Sequence, residues 1–324
     1  MIPLVLVTGF LGSGKTTLLK HMAREGASRR WAFLVNDFSA LDVDGEQLRK
    51  VTDHVLAIPG GSIFCRCLAG DFVKHLKAIP EQFGSAEAPL EAVIVEASGV
   101  SDPRVTRKLL RETGMGDLFE VHRILTVIDP GSFHKLLATL PTIRSQVEAA
   151  DTVVINKTDV FPQETVDETE ARVREINPDA DIHRTAYCTV DFDAVTPASK
   201  AVGTDGELAP CRDPNYANFE VGADASLSYE AVNAALNEIG DDLYRVKGDI
   251  LTDRGTLHVE GTVGSLHWNP IRRDTLAENQ GLAIIVRGDA ADRVRAILDG
   301  IKTVHGAAPA PCPPASGRRR LPSR

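Results

Sequence analysis

The nine residues GFLGSGKTT, from Gly9 to Thr17, constrain this chain more tightly than any other stretch. They satisfy the pattern G-x-x-x-x-G-K-[ST] at Gly9, Gly14, Lys15 and Thr16. An apolar run, Ile2–Val7, leads into them and a helical pattern, Thr17–Arg24, leads out. Strand, glycine loop and helix in that order form a phosphate cradle. The loop residues Gly9, Gly12, Ser13, Gly14, Lys15, Thr16 and Thr17 are the candidate contacts. Glycines let backbone N–H groups turn inward, and the helix start adds partial positive charge. Lys15 would neutralise β- and γ-phosphates, and the Thr16 hydroxyl would ligate Mg2+.

Further short apolar runs at Trp31–Val35, Ala92–Val95, Ile124–Ile128 and Thr152–Ile155 read as buried strands. Helical patterns at Asp71–Ile79, Asp102–Arg111 and Val166–Ile176 alternate with them. Continuous apolar strands between helices imply an α/β domain: a parallel sheet with helices on both faces and right-handed crossovers. This P-loop domain is assigned residues 1–191. Residues 192–219, poor in large apolar side chains, read as a linker. A small α+β domain follows over 220–305. It has helices at Tyr229–Ile239 and Ala291–Ile301 and strands at Tyr244–Leu251, Thr256–Val263 and Leu282–Arg287. The Pro-, Ala- and Arg-rich residues 306–324 are expected to be a disordered tail.

Composition excludes several classes of function. Lys and Arg number 36 against 45 Asp and Glu, a net charge of −9, which argues against a nucleic-acid partner. No apolar run approaches the roughly 20 residues a membrane helix needs, and the N-terminus has no basic leader, so a cytoplasmic protein with no membrane partner is expected. Five scattered cysteines do not read as a disulfide framework, and free thiols are expected.

Two further motifs sharpen the chemistry. VIVEASG ends a buried strand at Glu96, where an acid would hold Mg2+ through water. INKTD presents Asn156, Lys157 and Asp159 directly after another strand. An N-K-x-D turn reads guanine because the Asp carboxylate accepts from the N1–H and the exocyclic amine, a donor pair that adenine lacks. GTP is therefore preferred over ATP. The same turn counts against a small-molecule kinase.

At this point the chain resembles the CobW-type P-loop GTPases, a metallochaperone branch related to UreG and HypB. The resemblance rests on GFLGSGKTT, VNDFSALDVDG, PGGSIFCRCLAGDF, VIVEASGVSDP and INKTD in that order, then on LYRVKGDI and GLAIIVRG. It implies a slow, Mg2+-dependent GTPase that couples nucleotide state to delivery of Zn2+ or Co2+ to a client metalloprotein. It also implies that Asp37 stands in the switch position where the family carries Glu, and Asp is one methylene shorter. No arginine finger or catalytic glutamine is evident in the switch segment, so unassisted hydrolysis should be slow.

The cysteines depart from the family's C-x-C-C. Here Cys65 and Cys67 flank Arg66, and Ser62, Phe64 or Leu68 occupies the missing positions, depending on register. Zinc takes four ligands, or three and a water. Two thiolates leave at least one to be found: Asp37, Asp71, His75, or a cysteine of a second subunit in a homodimer. Cys65 and Cys67 are thus candidate transition-metal ligands. Buried apolar packing and a redox pair are the other readings. A regulatory GTPase that activates a partner enzyme without functional metal is the alternative, and it accounts for the reduced motif directly. His258 and His267 fall on or near one predicted C-terminal hairpin and are read as packing or surface.

Overall fold

In a computed structural model of the chain, the residues described are 1–37, 43–59, 61–191, 205–210, 214–222, 226–262, 264–271 and 281–301. Strand β1 (Ile2–Thr8) lies in the middle of a seven-stranded, wholly parallel sheet. The other strands are β2 (Trp31–Asp37), β3 (Val55–Pro59), β4 (Ala92–Glu96), β5 (Phe119–Ile128), β6 (Thr152–Ile155) and β7 (Asp181–Arg184), in the order β3-β2-β4-β1-β5-β6-β7. The alternation of side chains along each strand explains why these runs are apolar throughout. Leu4 and Leu6 pack on one face with Phe72 and Leu76 of α3 (Ala69–Phe83) and Leu109 of α4 (Val105–Glu112). Val5 and Val7 pack on the other with Leu18, Leu19 and Met22 of α1 (Lys15–Glu25). A third cluster joins Val153 and Ile155 to α5 (Pro130–Thr139), α6 (Pro141–Glu148) and α7 (Gln163–Ile176). Burial on both faces is the condition under which an all-parallel sheet is stable.

A second sheet is antiparallel and five-stranded: β8 (Tyr216–Gly222), β9 (Leu243–Thr252), β10 (Gly255–Thr262), β11 (Ser265–Pro270) and β12 (Gly281–Arg287), in the order β11-β10-β9-β12-β8. One face buries Phe219, Val246, Ile250, Val259 and Ile284 under α8 (Tyr229–Ile239) and α9 (Ala291–Asp299). The opposite face meets the parallel sheet's loops: Tyr244 and Ile285 join the cluster of Phe10 and Leu11. Pairing of β9 with β12 slips by one residue between Ile285 and Val286, and Tyr244 is the extra residue on β9. A bulge of this kind re-aims side chains. Here it lets Leu243 enter the helix-covered core while Tyr244 packs edge-on against Phe10 at 5.6 Å between ring centroids.

The architecture is the expected P-loop fold with a second, C-terminal sheet. Strands β3, β7, β8 and β11 and helices α2 (Val43–Arg49), α5 and α6 were not expected from sequence. β8 opens at Tyr216, inside the span read as a linker. The expected tail and most of the linker lie outside the described residues, as do Cys211 and Cys312. Among the described residues no helix is long and apolar enough to cross a membrane.

Candidate nucleotide-binding site

The glycine loop connects β1 to α1 with three glycines in the left-handed region, at φ 129° for Gly9, 76° for Gly12 and 116° for Gly14. Only glycine adopts these angles without strain. Close approach adds a second reason. A Cβ on Gly9 would sit 2.2 Å from the Val127 carbonyl oxygen, and one on Gly14 would sit 2.3 Å from the Asn156 Nδ2. Gly14 caps α1 with its backbone and no side-chain bond, leaving the helix's first N–H groups directed into the loop. Lys15 is buried and donates back to the Phe10 carbonyl at 3.3 Å. Ser13 Oγ and, at the end of β1, Thr8 Oγ1 are buried hydroxyls with no hydrogen-bond partner among the described residues. Buried polar atoms of that kind fit a polar ligand.

Thr16 Oγ1 donates to Asp44 at 2.9 Å, and Asp44 in turn accepts from Lys247 and from Arg245, each at 2.6 Å. The two cations hold the Asp44 carboxyl well below the usual carboxylate range, against the opposing effect of its burial. Glu96 closes β4, the strand beside β1, and is 2% exposed. Thr16, Glu96 and Asp44 are all oxygen donors, the chemistry that suits Mg2+. Asp37 closes β2, residues 38–42 of the switch segment lie outside the described residues, and the segment ends at Asp44 and Gly45.

On the base side, Asn156 is 3% exposed and bonded on both ends of its amide. Its Nδ2 donates to the Ser13 carbonyl at 2.9 Å, and its Oδ1 accepts from the Cys188 amide at 2.8 Å. Lys157 pairs with Asp129 at 2.7 Å, while Asp159 is exposed. Among the described residues the non-glycine positions with positive φ are Lys157, Tyr187 and Cys188, all at this spot. Strain gathered at one place is characteristic of functional loops. Tyr187, 70% exposed, and Cys188, fully buried, were missed from sequence because nothing in TAYC marks a left-handed backbone. Burial pushes the Cys188 thiol up to about 12.

Asn36, immediately before Asp37, was also missed. Its Nδ2 donates to the carbonyls of Ile58 (2.9 Å) and Gly61 (2.7 Å). Its Oδ1 accepts from the amides of Ile63 (2.9 Å) and Ser98 (3.2 Å). One side chain thus ties the switch strand, the cysteine segment and the turn after Glu96. A polar residue ending an otherwise apolar strand was the available signal.

The expectation of free cysteines is met at Cys65 and Cys188, which are free and buried, and is corrected at Cys67, which is disulfide-bonded. An unbridged Cys65/Cys67 thiolate pair is therefore not present, and Cys67 must be reduced before it can ligate a metal. Among the described residues no group of three or more His, Cys, Asp or Glu side chains converges as a metal site. His75 instead bonds the Asp71 carbonyl at 2.8 Å. His258 pairs with Asp249 at 2.5 Å and lies opposite Asn269, not His267.

Fold and site together define a P-loop nucleotide-binding protein. Residues 3–184 match the CobW/HypB/UreG nucleotide-binding domain, and the chain belongs to that family. It is 30% identical over 160 residues to the zinc chaperone YeiR of Escherichia coli, covering 48% of this chain and 46% of that one. It is 28% identical over 218 residues to the zinc-regulated GTPase metalloprotein activator 1 of Saccharomyces cerevisiae, covering 57% and 48%. The chain thus spans about half the length of the curated relatives it matches. Among solved structures, the Zn(II)-bound YjiA GTPase from E. coli aligns over 93% of this chain and 99% of its own, with 18% identity and a TM-score of 0.44.

Proposed function

We propose that this chain binds GTP, hydrolyses it slowly, and uses the nucleotide state to govern binding and delivery of a transition metal, zinc before cobalt, to a client metalloprotein in the cytoplasm. The observation that carries this reading is the amide of Asn156, which joins the guanine-reading turn to the phosphate loop through Ser13. A base and a triphosphate held by two such linked elements are recognised as one ligand. The phosphates rest against Gly9–Thr17 and Lys15 neutralises them, while Asp159 accepts from the guanine N1–H and exocyclic amine. Thr16 and Glu96 would hold Mg2+, which when bound supplies positive charge to the β- and γ-oxygens.

Asn36 is the link from nucleotide to cargo. A γ-phosphate that acts on the end of β2 acts on the same side chain that holds Gly61 and Ile63, at the foot of the Cys65 loop. Reduced Cys65 and Cys67, completed by a further ligand, would be the metal site. The test is Zn2+ affinity by chelator competition on fully reduced protein, with and without GTP and Mg2+, beside the Cys65→Ser/Cys67→Ser variant. Tight binding that shifts several-fold with nucleotide and disappears in the variant is expected. Binding indifferent to both removes zinc carriage from the reading.

The departure at the cysteines, where Cys65 and Cys67 stand in place of C-x-C-C, favours a second reading, a regulatory GTPase that activates a partner enzyme without functional metal. Full GTP-dependent activation of the partner by the double-serine variant would establish it.

A further inference from the structure

We propose that Arg245 and Lys247, carried by the second sheet, belong to the nucleotide site and distinguish GTP from GDP by answering the charge of the γ-phosphate; this rests on the GTP-binding reading above. The two residues alternate with Val246 and Gly248 along β9, so both leave the face opposite the helix-covered core. They enter the parallel sheet's phosphate region from about 200 residues away in sequence and meet Asp44 there. Lys247 and the Thr16 hydroxyl bond the same atom, Asp44 Oδ1, so the cation lies one carboxylate oxygen from the expected Mg2+ ligand. Lys247 is 3% exposed and Asp44 4%. The arrangement is therefore buried and built, unlike a chance pair of surface charges.

Charge decides what such a cluster can accept. Lys20 on α1 feels Lys247 and Asp44, and Glu260 on β10 is the other acid acting on it. The cations Lys20, Lys50, Arg245 and Lys247 thus outnumber the carboxylates Asp44 and Glu260 in this group, with Lys15 one residue before Thr16. A polyanion seated in the adjacent glycine loop matches that surplus, and each added phosphate negative charge is stabilised by it. The contact reaches the glycine loop itself, since a Cβ on Gly12 would come within 2.0 Å of the Thr262 Cγ2 at the end of β10. Tyr216 also donates to the Val100 carbonyl, in the turn after Glu96, at 3.2 Å. The second sheet thereby supplies in cis the cations absent from the switch segment, and its docking is linked to the γ-phosphate.

The test compares dissociation constants for fluorescent GTPγS and GDP, with Mg2+ present, in the full-length wild type and in the Lys247→Gln, Arg245→Gln and Lys247→Arg variants. The glutamine variants should lose about tenfold or more for GTPγS and change little for GDP, and Lys247→Arg should retain most of the affinity. Hydrogen exchange of wild-type β9 and α2 supplies an arm that does not depend on the folding of the glutamine variants. GTPγS should protect both segments more than GDP does. Parallel losses for the two nucleotides, or equal protection by them, would overturn the assignment while leaving GTP binding intact. A wild type that binds neither nucleotide overturns it together with the reading it rests on.

Discussion

The side-chain amide of Asn156 donates to the Ser13 carbonyl at 2.9 Å, so the turn after β6 is fastened to the glycine loop after β1, 143 residues earlier. The same amide receives the Cys188 N–H. Replacing Asn156 by Ala removes both bonds from a buried position and strands their partners, each costing about 1–3 kcal/mol. GTP and GDP affinity should fall together, by about tenfold or more, with a lower melting temperature. Nucleotide titration and thermal denaturation on one preparation check this.

Asp159 is exposed and offers acceptors only, so its replacement tests base recognition without disturbing the core. In Asp159→Asn, the donor pair of guanine meets an amide that also donates. GTP affinity should fall by about two to four orders of magnitude, the worth of two hydrogen bonds to a charged group at about 1.5–3 kcal/mol each, with no change in melting temperature. The preference should move toward xanthosine triphosphate, whose C2 carbonyl accepts where guanine donates. Competition between the two nucleotides reads the ratio directly.

Gly14→Ala should abolish nucleotide binding. Its added methyl would lie 2.3 Å from Asn156 Nδ2 and 3.0 Å from Cys188 Sγ, at a φ of 116° that alanine resists. Gly70→Ala, where nothing lies within 4 Å of the new atom, is the matched control and should bind normally.

Asp44 makes stability sensitive to acid. Its folded-state acidity lies well below the ordinary Asp value, so its contribution is complete above about pH 4 and is lost as pH falls toward the lowered value. Denaturant melts between pH 7 and 3 should show a steeper loss in the wild type than in Asp44→Asn. At pH 7 that variant should be less stable by about 3 kcal/mol, since it takes the carboxylate charge from the buried Lys247 and from Arg245 beside it.

Cys188 acts in the opposite direction. Burial raises its thiol to about 12 from an ordinary value near 9, so the stability it contributes is whole below pH 9 and lost as pH rises toward 12. The advantage of wild type over Cys188→Ala should therefore shrink above pH 9. At neutral pH the native thiol should resist alkylation, which mass spectrometry after iodoacetamide treatment would measure.

Local chemistry was enough for much of this protein. The glycine spacing, the apolar runs and the N-K-x-D turn are short-range signals, and each demanded one backbone form wherever it fell. The P-loop fold and its parallel strands were legible for that reason, and the same signals marked Lys15, Thr16 and Asn156 as candidates. The short, polar β7 and the edge strand β11 were not, because half-exposed strands carry little apolar signal. Tertiary structure alone brought Asp44 to Lys247 and Arg245, and Asn36 to Gly61, Ile63 and Ser98. It also showed Cys65 and Cys67 in different states, one free and buried and the other bridged. Such pairings depend on which distant segments share one buried space, and burial is what makes an unmatched charge or amide too costly to leave.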